Sequence, residues 1–236
     1  MINLPTIETP KYACSLPSTG KTIEYRPFLV KEEKILLIAQ QSEDTQQSIR
    51  ALKDVVRNCT FESLDIEALA PIDLEYIFLQ VRAKSVGEVA EVNIKCEHCE
   101  TPNPLEINLE KIIVEQPDSL EKKIMLTSDI GIVPKQISTA DIEKISALEN
   151  DADKQLTATI VASIESIFDS EQVYPMAEVG FDEAEKFINS LNREQMSKIE
   201  DAIANVPKLK YDVEFKCTSC KKKNKTTLEG LQSFFE

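Results

Sequence analysis

The sequence predicts an α+β fold: an N-terminal β-hairpin followed by helices, then a β module built from two separated Cys-x-x-Cys knuckles, with a largely helical insertion between them. Three observations lead there. The apolar residues change period along the chain, from alternation to spacings of three and four and back, so strand blocks and helix blocks follow one another. Cys96/Cys99 and Cys217/Cys220 each end one strand-like stretch and open a polar turn into another. At 236 residues, 42% hydrophobic and 29% charged, the chain is long enough to bury a core without disulfides.

Lys11 to Phe28 reads as the hairpin. Tyr12, Cys14 and Leu16 alternate on one arm and Ile23, Tyr25 and Pro27 on the other, around a turn at Ser18-Thr19-Gly20. Leu29 to Ala39 joins good helix formers to a crowded apolar second half and is expected as a short, strongly buried helix. Ile49, Leu52, Val55 and Val56 mark one face of a second helix, with Asp44 or Thr45 as its cap. A third short helix is expected through Leu64 to Leu69. A fourth runs from Ile72 to Lys84, with Pro71 near its start and Leu74, Ile77, Phe78 and Val81 as its apolar stripe.

The period changes at Val86-Gly87. Val89 to Lys95 alternates as a strand running into Cys96, and Leu105, Ile107 and Leu109 give the return strand. A further β signal spans Lys122 to Val133, with no partner assigned. Helices are then expected from Ala140 to Leu148, capped by Ser138 or Thr139, and from Lys154 to Phe168, where Leu156, Ile160, Ile164 and Ile167 step by threes and fours. Two more follow at Phe181–Phe187 and Asn192–Val206, the last stopped by Pro207. Tyr211, Val213 and Phe215 form a strand into Cys217, with a return through Thr226-Thr227-Leu228. The organisation expected is thus 1–86, hairpin plus helices; 87–117, first knuckle hairpin; 118–206, mixed β and helical insertion; and 207–236, second knuckle hairpin and tail.

The knuckles sit in matching contexts, Val92-Asn93-Ile94-Lys95-Cys96-Glu97-His98-Cys99 and Val213-Glu214-Phe215-Lys216-Cys217-Thr218-Ser219-Cys220. Two residues between cysteines let a tight turn present both sulfurs to one tetrahedral ion at about 2.3 Å, which makes the module zinc-ribbon-like. The metal set expected is Cys96, Cys99, Cys217 and Cys220 around one structural Zn2+ per chain. The 117 residues between Cys99 and Cys217 are far more than a compact ribbon uses, so the intervening helices are an insertion. Two separate two-cysteine sites would leave each ion under-coordinated. His98 is a further candidate ligand, but it lies between two cysteines with its ring expected to point outward. A redox role is disfavoured, because such pairs normally sit at a helix N-terminus and these lie between strands. Cys14 and Cys59 fall on apolar faces and read as core residues.

A formal net charge of −14 disfavours binding to a phosphate backbone. The local exception, Lys221-Lys222-Lys223-Asn224-Lys225, reads as a solvated turn that offsets nearby thiolates. With Lys216 it also supports the alternative of a zinc-ribbon nucleic-acid-binding or transcription factor. Five glycines leave no phosphate-cradling loop, and a single histidine inside a knuckle leaves Ser/His/Asp and Cys/His sets without a base, so no enzyme is expected. No apolar run has bilayer length and the N-terminus lacks signal-peptide character, so membrane insertion is not expected and a cytosolic protein is.

Leu16-Pro17-Ser18-Thr19-Gly20-Lys21 and Tyr25-Arg26-Pro27-Phe28-Leu29-Val30-Lys31-Glu32-Glu33-Lys34-Ile35-Leu36-Leu37 resemble the baseplate proteins of large contractile-tailed bacteriophages of the T-even type. So do Asp73-Leu74-Glu75-Tyr76-Ile77-Phe78-Leu79 and Val81 to Glu88, and the likeness runs through both knuckles to Leu228–Phe235. The resemblance implies a role in the central hub of the tail baseplate, as a hub subunit or as a factor promoting hub assembly. Its partners would be other baseplate hub proteins, with no small-molecule substrate. Its place would be the host cytoplasm during assembly, or the virion tail baseplate. It brings no catalytic residues. For the interface, Tyr25-Arg26-Pro27-Phe28 is a candidate with burial of Tyr25 and Phe28 in the core as the plainer reading, and Phe234-Phe235 is the more suggestive one, expected to dock either on the chain's own helices or on a partner.

Overall fold

The computed structural model describes residues 7–42, 45–116, 123–148 and 151–234. In chain order these form β1 (Tyr12–Ser15), β2 (Thr22–Tyr25), α1 (Val30–Gln41), α2 (Thr45–Cys59), α3 (Pro71–Ser85), β3 (Val89–Lys95), β4 (Pro102–Asn108) and β5 (Ile113–Glu115). There follow β6 (Ile124–Met125), β7 (Gly131–Pro134), α4 (Thr139–Ser146), α5 (Ala152–Ala162), β8 (Ile164–Phe168), β9 (Val173–Pro175), α6 (Phe181–Asn189) and α7 (Arg193–Ala204). The described chain closes with β10 (Lys208–Lys216), β11 (Lys223–Glu229) and a 3-10 turn at Gln232–Phe234. Helices and strands are thus mixed, as an α+β fold requires. The chain divides into two compact units, residues 1–66, 72–115 and 208–236 in one, and 67–71 and 116–207 in the other.

In the first unit β1 and β2 pair antiparallel, Cys14 opposite Ile23. Their turn is pinned to α3 by Asp73, whose carboxylate accepts the backbone N–H of Ser18 at 2.9 Å and the Ser18 hydroxyl. After the hairpin, the Arg26 guanidinium donates to Glu32 Oε1 at 3.0 Å, with Glu32 fully buried. The same carboxylate accepts the N–H of Leu29 at 2.9 Å, so it caps α1 while neutralising Arg26. Val55, Val56 and Cys59 of α2 and Ile77, Phe78 and Val81 of α3 are buried, as their helical spacing requires. β3 pairs with β4 along its full length, and the sheet β11-β10-β5 joins residues far apart in sequence, Lys208 lying opposite Glu115.

Two expectations fail here. Among the described residues of α1 only Glu32 and Ala39 are buried, whereas Leu37 and Ile38 are 50% and 60% exposed. Ile35-Leu36-Leu37-Ile38 is a continuous run, and four consecutive residues wrap right round a helix, so one side must face water. Leu64 to Leu69 is turn, not helix. Pro71 has no N–H to give the Glu67 carbonyl, which instead accepts the N–H of Ala140, while that of Leu69 accepts Thr139. The Asp44 cap falls outside the described residues.

The second unit is organised on the antiparallel sheet β6-β7-β8-β9. Ile124, Leu126, Ile132, Ile160, Ile164, Ile167, Ile188 and Ile199 form its core. Ser138 caps α4, accepting the Asp141 N–H while Asp141 reaches back to the Ser138 N–H. Asn192 and Gln195 do the same at α7. The helix expected from Lys154 to Phe168 ends at Ala162, and Ile164–Phe168 is a strand inside the sheet, between β7 and β9. The spacing of four from Ile160 to Ile164 continues the helical pattern by coincidence. β-branched Ile164 and Ile167 suit a strand, and β8 is the missing partner of β7. Gly131 opposite Phe168 must be glycine, since a Cβ there would fall on the Phe168 ring and 2.7 Å from the Ile124 carbonyl oxygen.

Candidate metal centre

β3 and β10 deliver Cys96 and Cys217 from their ends, and β4 and β11 carry the chain away again. The turns between are built alike. Cys96 N–H donates to the Thr101 carbonyl at 3.0 Å and Cys217 N–H to that of Lys222 at 2.9 Å. Glu100 and Lys221, each following the second cysteine, take left-handed φ values of 56° and 60°, which reverses the chain so quickly. The N–H groups of His98 and Ser219 then point at Cys96 Sγ and Cys217 Sγ, each at 3.4 Å.

The two knuckles meet in the first unit. Cys96 Sγ lies 3.6 Å from Cys220 Sγ and Cys99 Sγ 3.6 Å from Cys217 Sγ, and all four sulfurs are within 4.8 Å of one another. Four thiolates about 2.3 Å from one central ion stand about 3.8 Å apart along the edges of a tetrahedron, so the set fits a metal of that geometry. Cys96 and Cys217 are buried, Cys220 half-buried and Cys99 exposed. Crowded sulfurs cannot all carry charge without a cation. The Thr101 hydroxyl and backbone N–H bring the Cys99 thiol down to about 6, whereas Cys220, although favoured by the Lys222 N–H, is pushed up to about 11 by burial and its sulfur neighbours. Burial raises Cys217, but the N–H groups of Cys220 and Ser219 outweigh it and lower the thiol.

Two asparagines brace the pair. Asn103 Oδ1 accepts the backbone N–H of Thr218 at 2.8 Å and its hydroxyl at 2.9 Å, while Asn103 Nδ2 donates to the Thr101 carbonyl at 2.8 Å. Asn224 Oδ1 accepts the backbone N–H of Glu97 at 3.0 Å, and Asn224 Nδ2 donates to the Lys222 carbonyl at 3.1 Å. Both side chains are buried. Sequence reading passed over them, though each stands seven residues after the first cysteine of its knuckle.

The remaining candidates fall elsewhere. His98 is exposed and outside the sulfur group, touching it only through its backbone N–H. Cys59 is buried and Cys14 half-buried, both as free thiols. Tyr25 and Arg26 are core residues, Arg26 ion-paired with Glu32. Phe234 is fully buried, and Phe235 lies outside the described residues. Lys216, Lys221, Lys222, Lys223 and Lys225 are exposed; Lys225 pairs with Glu214 at 3.2 Å and Lys221 Nζ donates to the Thr218 carbonyl at 2.6 Å. Among the described residues no helix is long and apolar enough to cross a membrane.

The family model described as T4 bacteriophage base plate protein matches residues 9–236. The chain belongs to that family. This phage baseplate protein is also 26% identical over 218 residues to the baseplate hub assembly protein of Enterobacteria phage T4, a match covering 92% of this chain and 94% of that protein. No solved structure matches it at a significant level. The family is the one that the Leu16–Leu37 and Asp73–Leu79 stretches resemble.

Proposed function

We propose that this baseplate protein acts in forming the tail-baseplate hub, as a hub subunit or as a factor that promotes hub assembly, through contacts with other hub proteins and without bond chemistry. The observation that carries the reading is the near full-length relation to a hub assembly protein. Exposed Val30, Leu37 and Ile38 on one side of α1 support it, because clustered apolar residues on a surface suit a protein partner. Working sites would be the host cytoplasm during assembly and, if the chain is retained, the virion baseplate.

Cys96, Cys99, Cys217 and Cys220 hold one Zn2+ in this reading, forming a zinc-ribbon-like module. The ion's part is to balance the thiolate charge and tie two distant hairpins together. A fourth thiolate fills the position that a catalytic zinc keeps open for water, so the role is structural. The nucleic-acid alternative gains nothing from the lysines, two of which are already engaged by Glu214 and Thr218.

Co-expression with hub proteins tests the main reading. Retention in the purified complex identifies a subunit; a complex that needs the chain but does not retain it identifies an assembly factor. A hub that forms equally well without it overturns both. Elemental analysis is expected to find one zinc per chain, lost in Cys96→Ser and Cys217→Ser alike, and two zincs would refute the shared site.

A further inference from the structure

The metal centre is built from one local unit used twice. Cys96, Cys99 and Asn103 are spaced as Cys217, Cys220 and Asn224 are, as Cys-x-x-Cys-x-x-x-Asn. The likeness is structural as well as sequential: the left-handed residue, the N–H···S bond and the carbonyl that receives the Asn Nδ2 occupy corresponding places in both hairpins. The contacts cross over. Asn103 of the first hairpin holds the residue after Cys217, and Asn224 of the second holds the residue after Cys96.

We infer that Asn103 and Asn224 are reciprocal positioning residues, which dock the two half-sites and set the four sulfurs for metal before any metal arrives. This rests on the metal-centre reading above. The physics lies in burial. Each amide is sealed from water and spends its oxygen on the opposite knuckle and its nitrogen on a carbonyl of its own knuckle, so sliding one hairpin along the other would strand polar groups on both sides. Zinc alone could gather four cysteines on flexible turns. The crossed amides specify which register they adopt, and Asn103 Nδ2 also approaches Cys217 Sγ at 3.8 Å, placing a donor beside a ligand.

The test titrates the full-length protein with Co2+ and Zn2+ against a chromophoric chelator. Asn103→Ala and Asn224→Ala are each expected to weaken affinity ~10- to 100-fold, the range seen when outer partners of metal ligands are removed. The Co2+ spectrum should remain that of four sulfurs. Unchanged affinity in both variants overturns the inference. Wild-type protein that takes up neither ion overturns the metal-centre reading instead. A second measurement needs no variant: in metal-free wild-type protein the amides of Glu97 and Thr218 are expected to resist hydrogen exchange. Their free exchange would show that the docking follows the metal, against the inference, even if the alanine variants fail to fold.

Discussion

The two units reach stability by different routes. The second draws its core from one stretch of chain, with isoleucines from β7, β8 and α5 to α7 packed together. The first gathers three separated stretches, and its most distant strands are joined by four sulfurs, two asparagines and the β5–β10 pairing. A continuous apolar core tolerates the loss of any one contact in proportion to its size. The first unit has a buried apolar core of its own, Val55, Ile77 and Leu209 included, but the joining of its two knuckles depends on a few sulfur and amide contacts.

Removal of the proposed zinc should separate the two most sharply. A chelator, or Cys217→Ser, is expected to lower hydrogen-exchange protection around Val92 and Val213 without erasing it, while Ile132 and Ile164 keep theirs unchanged. Free energies of zinc binding reach on the order of 10 kcal/mol in isolated zinc domains, which makes this the largest effect expected. Equal loss in both units would erase the contrast. Next comes Glu32→Ala, which leaves Arg26 buried and unpaired and should cost about 3–5 kcal/mol in denaturant unfolding. Glu32 is pushed up by burial, but the Arg26 hydrogen bond and the Leu29 N–H more than reverse this and hold it below the usual carboxylate range. Its contribution is therefore fully present above the unfolded value of about 4.3 and fades as pH falls through the folded value, so acid should strike wild type harder than the Glu32→Gln variant.

In the second unit Ile164→Ala should cost about 2–5 kcal/mol, with zinc content unchanged, because it opens a cavity under β8. Ser138→Ala is the smallest change, about 0.5–2 kcal/mol, removing one cap from α4. Zinc loss from either variant would undo the distinction between the units.

Much of this was legible in the residues themselves. Knuckle spacing, the alternation of Val89–Lys95, the burial of Leu74, Ile77, Phe78 and Val81 in α3 and a cap at Ser138 or Thr139 each follow from local rules; the structure contains the first three and makes Ser138 the cap, while α3 is buried on more sides than that stripe. What escaped was set by non-local contacts. Ile164–Phe168 carries a helical spacing and is a strand because β7 and β9 lie on either side of it. The apolar crowding of α1 signalled burial, yet no period of hydrophobicity says how much of a helix its neighbours will cover. Asn103 and Asn224 went unnoticed because their partners lie more than a hundred positions away along the chain.

The pairing of Glu115 with Lys208 has a consequence for the order of events. These residues flank residues 116–207, so that stretch of chain leaves and rejoins one sheet at paired positions. During synthesis it can close on itself before Cys217 is made, while Cys96 and Cys99 wait as an unmatched half. Once closed, it replaces a long floppy loop with a short gap, lowering the entropy lost when the second half arrives. Maturation of the sulfur site would then be timed by translation, since its second half is the last part of the chain to be made.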